Sequence, residues 1–255
     1  MAIDLRGKRG VIIGIANEHS IAYGCARALR ADGAEFAVTY LNDKAEPHVR
    51  PLAEALGSPL ILPLDVEVPG QLAEVFAAAA TRWGGIDFVV HSIAFAPAHD
   101  LHGRVVDCSL AGFQQAMRVS CYSFVEVARA AEPLMAHGGT LLTMSFLGAD
   151  RVVAQYNVMG PVKAALQGVV RALAHELGPR GIRVHALSPG PISTRAARGL
   201  PQFEGLLDDA RRRAPQRRIV SVDEVGRVAA FLVSDAAAAM TGGTTFVDGG
   251  YHIVG

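Results

Sequence analysis

The sequence predicts an α/β fold: a single doubly wound, Rossmann-like parallel sheet of about seven strands with helices on both faces. Short, continuously apolar runs recur along the chain, each followed by apolar residues spaced three and four apart. Strands apolar on both faces belong to parallel sheets covered by helices, whereas half-exposed antiparallel strands alternate. No internal repeat and no low-complexity linker divides the 255 residues, so residues 1–255 read as one domain.

Taken in order, Gly10 to Ile15 reads as the first strand and Ser20 to Leu29 as a helix. Glu35 to Tyr40 is the second strand, with a helix from about Lys44 to Leu56. Leu60 to Leu64 is the third, ending at Asp65, and a helix from Gln71 to Trp83 leads to the fourth, Ile86 to His91. A long helix from about Leu110 to Ala136 precedes the fifth strand, Leu141 to Phe146, which stops at Gly148. The helix from about Gln155 to Leu177 carries Met159, Val162, Leu166, Val169, Val170 and Leu173 at helical steps. Pro161 is tolerable only in a first turn, where amides are unpaired, so regular helix is expected to begin near Asn157. Arg183 to Leu187 is the sixth strand, Ser221-Val222-Asp223-Glu224 is a capping box opening a helix, and Thr244 to Asp248 is the seventh.

Composition narrows the function. Lys+Arg and Asp+Glu balance at 24 each, so no global field favours nucleic acid or membrane. Cys25, Cys108 and Cys121 show no CxxC spacing, and the nine histidines show no ligand spacing, which predicts buried thiols and no metal. The start, MAIDLRGKRG, has no apolar core of a signal peptide, and a cytoplasmic location is expected.

In such sheets ligands bind outside the carboxyl ends of the strands near the switch point. The suggestive segments lie there. Gly14 to Gly24 offers small residues and a helix N-terminus for a pyrophosphate, although it is not GxGxxG and also suits a plain tight turn. Tyr40-Leu41-Asn42-Asp43-Lys44 places no cation at the strand end to meet a 2′-phosphate, which favours NAD over NADP. Asp65-Val66 suits either an adenine edge or a helix N-cap. His91 to Pro97 is small and apolar, as a nicotinamide wall would be, and the stretch from Ser188 to about Pro201 is a candidate lid. Tyr156 and Lys163, on one continuous helix, would share a face with roughly 10 Å of rise between them. There the ammonium would favour an ionised phenol and bond a ligand hydroxyl.

These segments together resemble the divergent short-chain dehydrogenase/reductase branch that contains the bacterial enoyl-acyl-carrier-protein reductases. The likeness rests on Gly14 with Ser20-Ile21-Ala22-Tyr23-Gly24, Thr39 to Lys44, Asp65-Val66, His91 to Pro97, Tyr156 to Gly160, Lys163, Gly190-Pro191-Ile192 with Thr194, and Val247 to Gly250. The Tyr-x6-Lys spacing is its most specific part, since ordinary short-chain dehydrogenases use Tyr-x3-Lys.

The resemblance implies NADH-dependent reduction of a trans-2-enoyl thioester, with hydride going to C3. It implies catalytic roles for Tyr156 and Lys163, with Phe146 where many relatives carry a second tyrosine. It assigns the cofactor to Gly14, Ser20, Ile21 and Leu41, to Asp65, Val66, Ile93 and Lys163, and to the run Ile192, Ser193, Thr194, Arg195, Ala196. Ala96, Phe95 and Met159, with Leu200 and Phe203 from a lid at about 190–215, would contact the substrate. The partners implied are an acyl carrier protein or coenzyme A thioester and further copies of the chain in a homotetramer.

Three departures bear on this. Phe146 lacks the second hydroxyl, and Ala94 replaces a common glycine, narrowing the pocket beside the nicotinamide. Relatives place basic residues just after the lid, where this chain has Pro201, Glu204 and Gly205. Arg195, Arg198 and the run Arg211-Arg212-Arg213 are the alternative dock for an acidic carrier, unless that run is only a solvated helix face. Two rival functions stand beside this reading: a carbonyl/hydroxyl oxidoreductase of the same superfamily, and an inactive nucleotide-binding paralogue.

Overall fold

The computed structural model describes residues 3–154, 156–194, 197–199 and 203–254. β1 (Arg9–Ile13) leads into α1 (Ile21–Ala31), β2 (Glu35–Tyr40) into α2 (Glu46–Ala55), and β3 (Ile61–Pro63) into α3 (Gln71–Trp83). β4 (Phe88–His91) is followed by a single helical turn, α4 (Ala98–Leu101), then by α5 (Leu110–Met117) and α6 (Ser123–Ala131). β5 (Gly139–Met144), α7 (Met159–Leu177), β6 (Ile182–Pro189), α8 (Phe203–Arg213), α9 (Val222–Val233) and β7 (Thr244–Val247) complete the order.

The strands form one parallel sheet in the order β3-β2-β1-β4-β5-β6-β7, as the alternation of runs and helical patterns predicts. Chain direction across the sheet reverses between β1 and β4, which puts the switch point at their carboxyl ends. Ile13 is in register with His91, and His91 with Thr143, so β1, β4 and β5 end at nearly the same level.

Successive side chains leave opposite faces of each strand, so the sheet supports two cores. Val11, Ile13, Val89, Leu141 and Val184 pack with Val75, Phe124, Val162 and Leu166 of α3, α6 and α7. Ile12, Val38, Val90, Leu142 and Leu187 pack with Cys25, Leu29, Val225 and Ala229 of α1 and α9. α1 and α9 cross at two glycines. A Cβ on Gly24 would lie 2.2 Å from the Val222 carbonyl oxygen, and one on Gly226 would lie 2.2 Å from that of Gly24. The capping box forms: Ser221 Oγ accepts from the Glu224 amide at 3.2 Å and Glu224 Oε2 accepts from the Ser221 amide at 2.8 Å.

Two helices depart from expectation. The long helix expected over 110–136 is interrupted by a π turn at Arg118–Tyr122 and ends at Ala131, where Pro133 cannot supply an amide. The helix expected from Gln155 begins at Met159, because Asn157 adopts φ 43° and breaks the regular turn. Pro161 is thus the third helical residue and costs no intrahelical bond, and Gln155 lies outside the described residues. Among the described residues no helix is long and apolar enough to cross a membrane.

Candidate active site

The end of β5 is held from α7. Lys163 Nζ donates to the Met144 carbonyl at 2.7 Å, and one turn later Gln167 Nε2 donates to Ser145 Oγ at 3.0 Å. Tyr156 lies before the helix and not on it, so the face-sharing argument for Tyr156 and Lys163 does not apply. What places the phenol is the turn itself: the Met159 amide donates to the Tyr156 carbonyl at 3.1 Å, and Asn157 Nδ2 donates to the Leu101 carbonyl. The Tyr156 ring packs against Phe146, with centroids 4.8 Å apart, and lies over Gly148, where a Cβ would come within 2.3 Å of the ring.

Both groups are buried, Tyr156 at 9% exposure and Lys163 at 4%. Burial pushes the phenol above its usual value and pulls the ammonium down to about 8. The expectation of an ionised phenol therefore gives way to a neutral one, because burial rather than the ammonium sets its proton affinity. A neutral phenol is a hydrogen-bond donor and an acid.

β4 ends in a polar knot. His91 Nδ1 lies 3.0 Å from Thr143 Oγ1 and Nε2 lies 2.8 Å from Ser123 Oγ, which donates to the Val119 carbonyl at 2.6 Å. Desolvation and the nearby Lys163 charge push the imidazole down to about 3, so it is neutral. Beyond it, Ile93 and Ala96 are half-buried and Phe95 is 45% exposed. Ser120, fully buried on the π turn, grips Phe95 by both backbone groups: Oγ accepts from its amide at 2.8 Å and donates to its carbonyl at 2.9 Å. Sequence reasoning missed Ser120 and Ser123, since a π turn leaves no mark in apolar spacing.

On the other side of the switch point, Gly14 sits at φ 107°, and a Cβ there would come within 2.1 Å of the Ser92 carbonyl oxygen. The turns after β1 and β4 thus touch backbone to backbone. Ser20 Oγ accepts from the Ala16 and Asn17 amides at 3.0 and 3.1 Å, leaving the α1 N-terminus without a side-chain cap and without an acidic residue in its first turn. Uncapped amides and the positive end of the helix dipole fit a pyrophosphate, with Ile21 as the first helical residue.

Leu41 is 53% exposed at the end of β2. Asp65 does not cap α3, whose N-cap is Gly70, so that alternative falls; Oδ1 accepts from the Glu67 amide at 2.9 Å. Val66 is buried, and its carbonyl accepts from Arg118 Nη2 at 2.8 Å. Arg118, from the same π turn as Ser120, also escaped sequence reasoning. After β6, Ile192, Ser193 and Thr194 are half-buried, and Thr194 Oγ1 accepts from the Ala197 amide at 3.1 Å. Arg195, Ala196, Leu200 and Pro201, with the Arg198 side chain, lie outside the described residues.

Of the other residues expected to contact substrate, Met159 and Phe203 are both buried. His102 Nε2 lies 2.9 Å from the Gly199 carbonyl, joining the loop after α4 to the candidate lid. The arginine run on α8 is paired within its own helix: Arg211 with Asp208 at 2.8 Å, and Arg212 and Arg213 with Asp209 at 3.7 and 3.3 Å. That pairing matches the solvated-face alternative.

The chain is similar to known enzymes over nearly its whole length. The profile of the enoyl-(acyl carrier protein) reductase family matches residues 14–252. Enoyl-[acyl-carrier-protein] reductase [NADH] 2 of Rhizobium meliloti is 45% identical over 98% of this chain and 93% of its own. Its Bacillus cereus relative, enoyl-[acyl-carrier-protein] reductase [NADH] FabI, is also 45% identical, over 98% of this chain and 99% of its own. The solved enoyl-(acyl-carrier-protein) reductase of Anaplasma phagocytophilum, in complex with NAD, is 47% identical. It superposes with a TM-score of 0.96 over all of this chain and 97% of that one.

Proposed function

The chain belongs to the enoyl-(acyl carrier protein) reductase family, and we propose that Tyr156, Lys163 and the loops around the β1/β4 switch point carry out its reaction. The protein is an NADH-dependent enoyl-[acyl-carrier-protein] reductase of fatty acid synthesis. The bound dinucleotide supplies the hydride that C3 of a trans-2-enoyl thioester accepts. What the protein must provide is a donor for the negative charge that then develops on the thioester oxygen.

Tyr156 is that donor. A phenol kept neutral by burial can donate a hydrogen bond to the thioester oxygen, and C2 is then protonated. Lys163 anchors the end of β5 through Met144 and keeps two further N–H donors for a ribose hydroxyl. Gly14, Ser20 and Ile21 at the uncapped α1 N-terminus would hold the pyrophosphate, and Leu41, Asp65 and Val66 would hold the adenosine. Ile93, Ile192, Ser193 and Thr194, with Arg195 and Ala196 next in sequence, would hold the nicotinamide end, and Phe146, Phe95, Ala96 and Met159 would line the acyl side. Segment 190–215, with Leu200 and Phe203, would serve as the substrate lid of a single domain. The single observation that carries this reading is the buried Tyr156 phenol seated on Gly148 beside Phe146 at the carboxyl end of β5.

Because each arginine of the α8 run is paired with Asp208 or Asp209 of its own helix, we propose that carrier recognition does not run through them; coenzyme A thioesters are proposed as a second acyl donor. We further propose a cytoplasmic homotetramer. An apolar groove of about 460 Å³ along α5, the π turn, the start of α6 and α7, lined by Phe113, Met117, Tyr122, Val125 and Val169, supports a second copy packing there.

The test is NADH consumption with trans-2-enoyl groups on carrier protein and on coenzyme A, at several chain lengths. Turnover of enoyl thioesters supports the reading. Turnover of ketones alone would replace it with the carbonyl reductase, and NADH binding with no turnover at all with the inactive paralogue.

A further inference from the structure

We infer that Ser120 is a positioning residue: by clamping both backbone groups of Phe95 it sets where that ring stands over the acyl chain. This rests on the proposed placement of the substrate against Phe95. The loop from Ser92 to Pro97 has no regular secondary structure, so its shape depends on where its backbone is tied. At one end the Ser92 amide donates to the Ile13 carbonyl at 2.9 Å; at the other the Pro97 carbonyl accepts from the Leu101 amide at 2.8 Å. Between these ties Phe95 is held by Ser120 alone among the described residues, through a donor at 2.9 Å and an acceptor at 2.8 Å on one hydroxyl.

The clamp is itself held rigid. Ser120 is fully buried on the π turn Arg118–Tyr122, and the residue just past that turn, Ser123, is tied to His91 on β4 at 2.8 Å. Turn, strand end and loop thus form a closed frame, from which the Phe95 ring projects 45% exposed. Because the ring is exposed, the two hydrogen bonds act on the Phe95 backbone, fixing where its Cα–Cβ bond leaves the loop and so the region the ring can sweep. π turns inside helices recur at functional sites, and here the turn places Ser120 against the loop. The same turn sends Arg118 to the Val66 carbonyl, so it touches loops on both sides of the switch point.

Ser120→Ala, Phe95→Ala and the double variant separate this inference from the reading beneath it. Three quantities are measured: KM for an enoyl thioester, the dissociation constant of NADH from the fluorescence of the bound dinucleotide, and the melting temperature. Ser120→Ala is expected to raise KM about five- to twentyfold while NADH affinity stays within about twofold. In the Phe95→Ala background the same change is expected to have almost no further effect on KM, because the ring it directs is gone. If Phe95→Ala raises KM but Ser120→Ala does not, the positioning role is overturned and the substrate placement stands. If neither moves KM, both are overturned. A fall in melting temperature with unchanged KM would assign Ser120 to stability alone and overturn the inference. Should Ser120→Ala not fold, Ser120→Cys, a weaker donor of similar size, carries the same expectation.

Discussion

Lys163 Nζ and the Met144 carbonyl oxygen stand 2.7 Å apart, so the ammonium closes the end of β5 from inside the protein. Burial of that charge is costly, as its fall to about 8 from an ordinary 10.5 records. Lys163→Met is therefore expected to abolish turnover while raising stability near pH 7 by about 1–2 kcal/mol, the lost hydrogen bond offsetting part of the relieved burial. Between pH 8 and 10.5 the unfolded wild type keeps a proton that the folded state has released, so wild-type stability rises with pH there. The stability advantage of the variant should shrink across that window in denaturant titrations.

Tyr156→Phe removes only the hydroxyl from a ring already packed against Phe146 and Gly148. Loss of one preorganised donor should lower kcat by about 10²–10³, with NADH affinity changed by less than about twofold. Single-turnover kinetics with an enoyl thioester, alongside NADH titration, measure both.

His91 is neutral in the folded protein, its value near 3 against 6.5 when unfolded. As pH falls from 6.5 the unfolded chain takes a proton that the folded chain refuses, so stability falls with pH over that range. His91→Gln keeps hydrogen-bonding groups toward Thr143 and Ser123 but cannot titrate. It should flatten the acid limb of the stability–pH curve by about one proton, measured by urea unfolding at several pH values.

Gly24→Ala would drive a methyl to 2.2 Å from the Val222 carbonyl oxygen, a backbone atom that cannot step aside. The crossing of α1 and α9 must open, at a cost of about 2–4 kcal/mol in thermal or urea unfolding.

The sheet was legible because each strand announces itself: Val11-Ile12-Ile13, Phe88-Val89-Val90 and Leu141-Leu142 are apolar on both faces and end in small or polar residues. The capping box at Ser221 is legible because its two hydrogen bonds are local. The crossing of α1 and α9 was not, since Gly24 and Gly226 lie far apart in sequence and only their approach explains them. The same holds for the site. Tyr156 and Lys163 were found from their spacing, yet Asn157 at φ 43° changes how that spacing is realised, and a positive φ at Asn leaves only a weak trace in sequence. Ser120 and Arg118 escaped because a π turn reads as ordinary helix in any pattern of apolar residues.

The central claim is that hydride reaches C3 of an enoyl thioester and a proton reaches C2. NADH carrying deuterium at C4 of the nicotinamide, on the face this enzyme transfers, tests it most directly, with the saturated product read by NMR and mass spectrometry. The account predicts one deuterium, at C3, and solvent hydrogen at C2. Deuterium at C2, or label transferred to a ketone but never to an enoyl thioester, would contradict it.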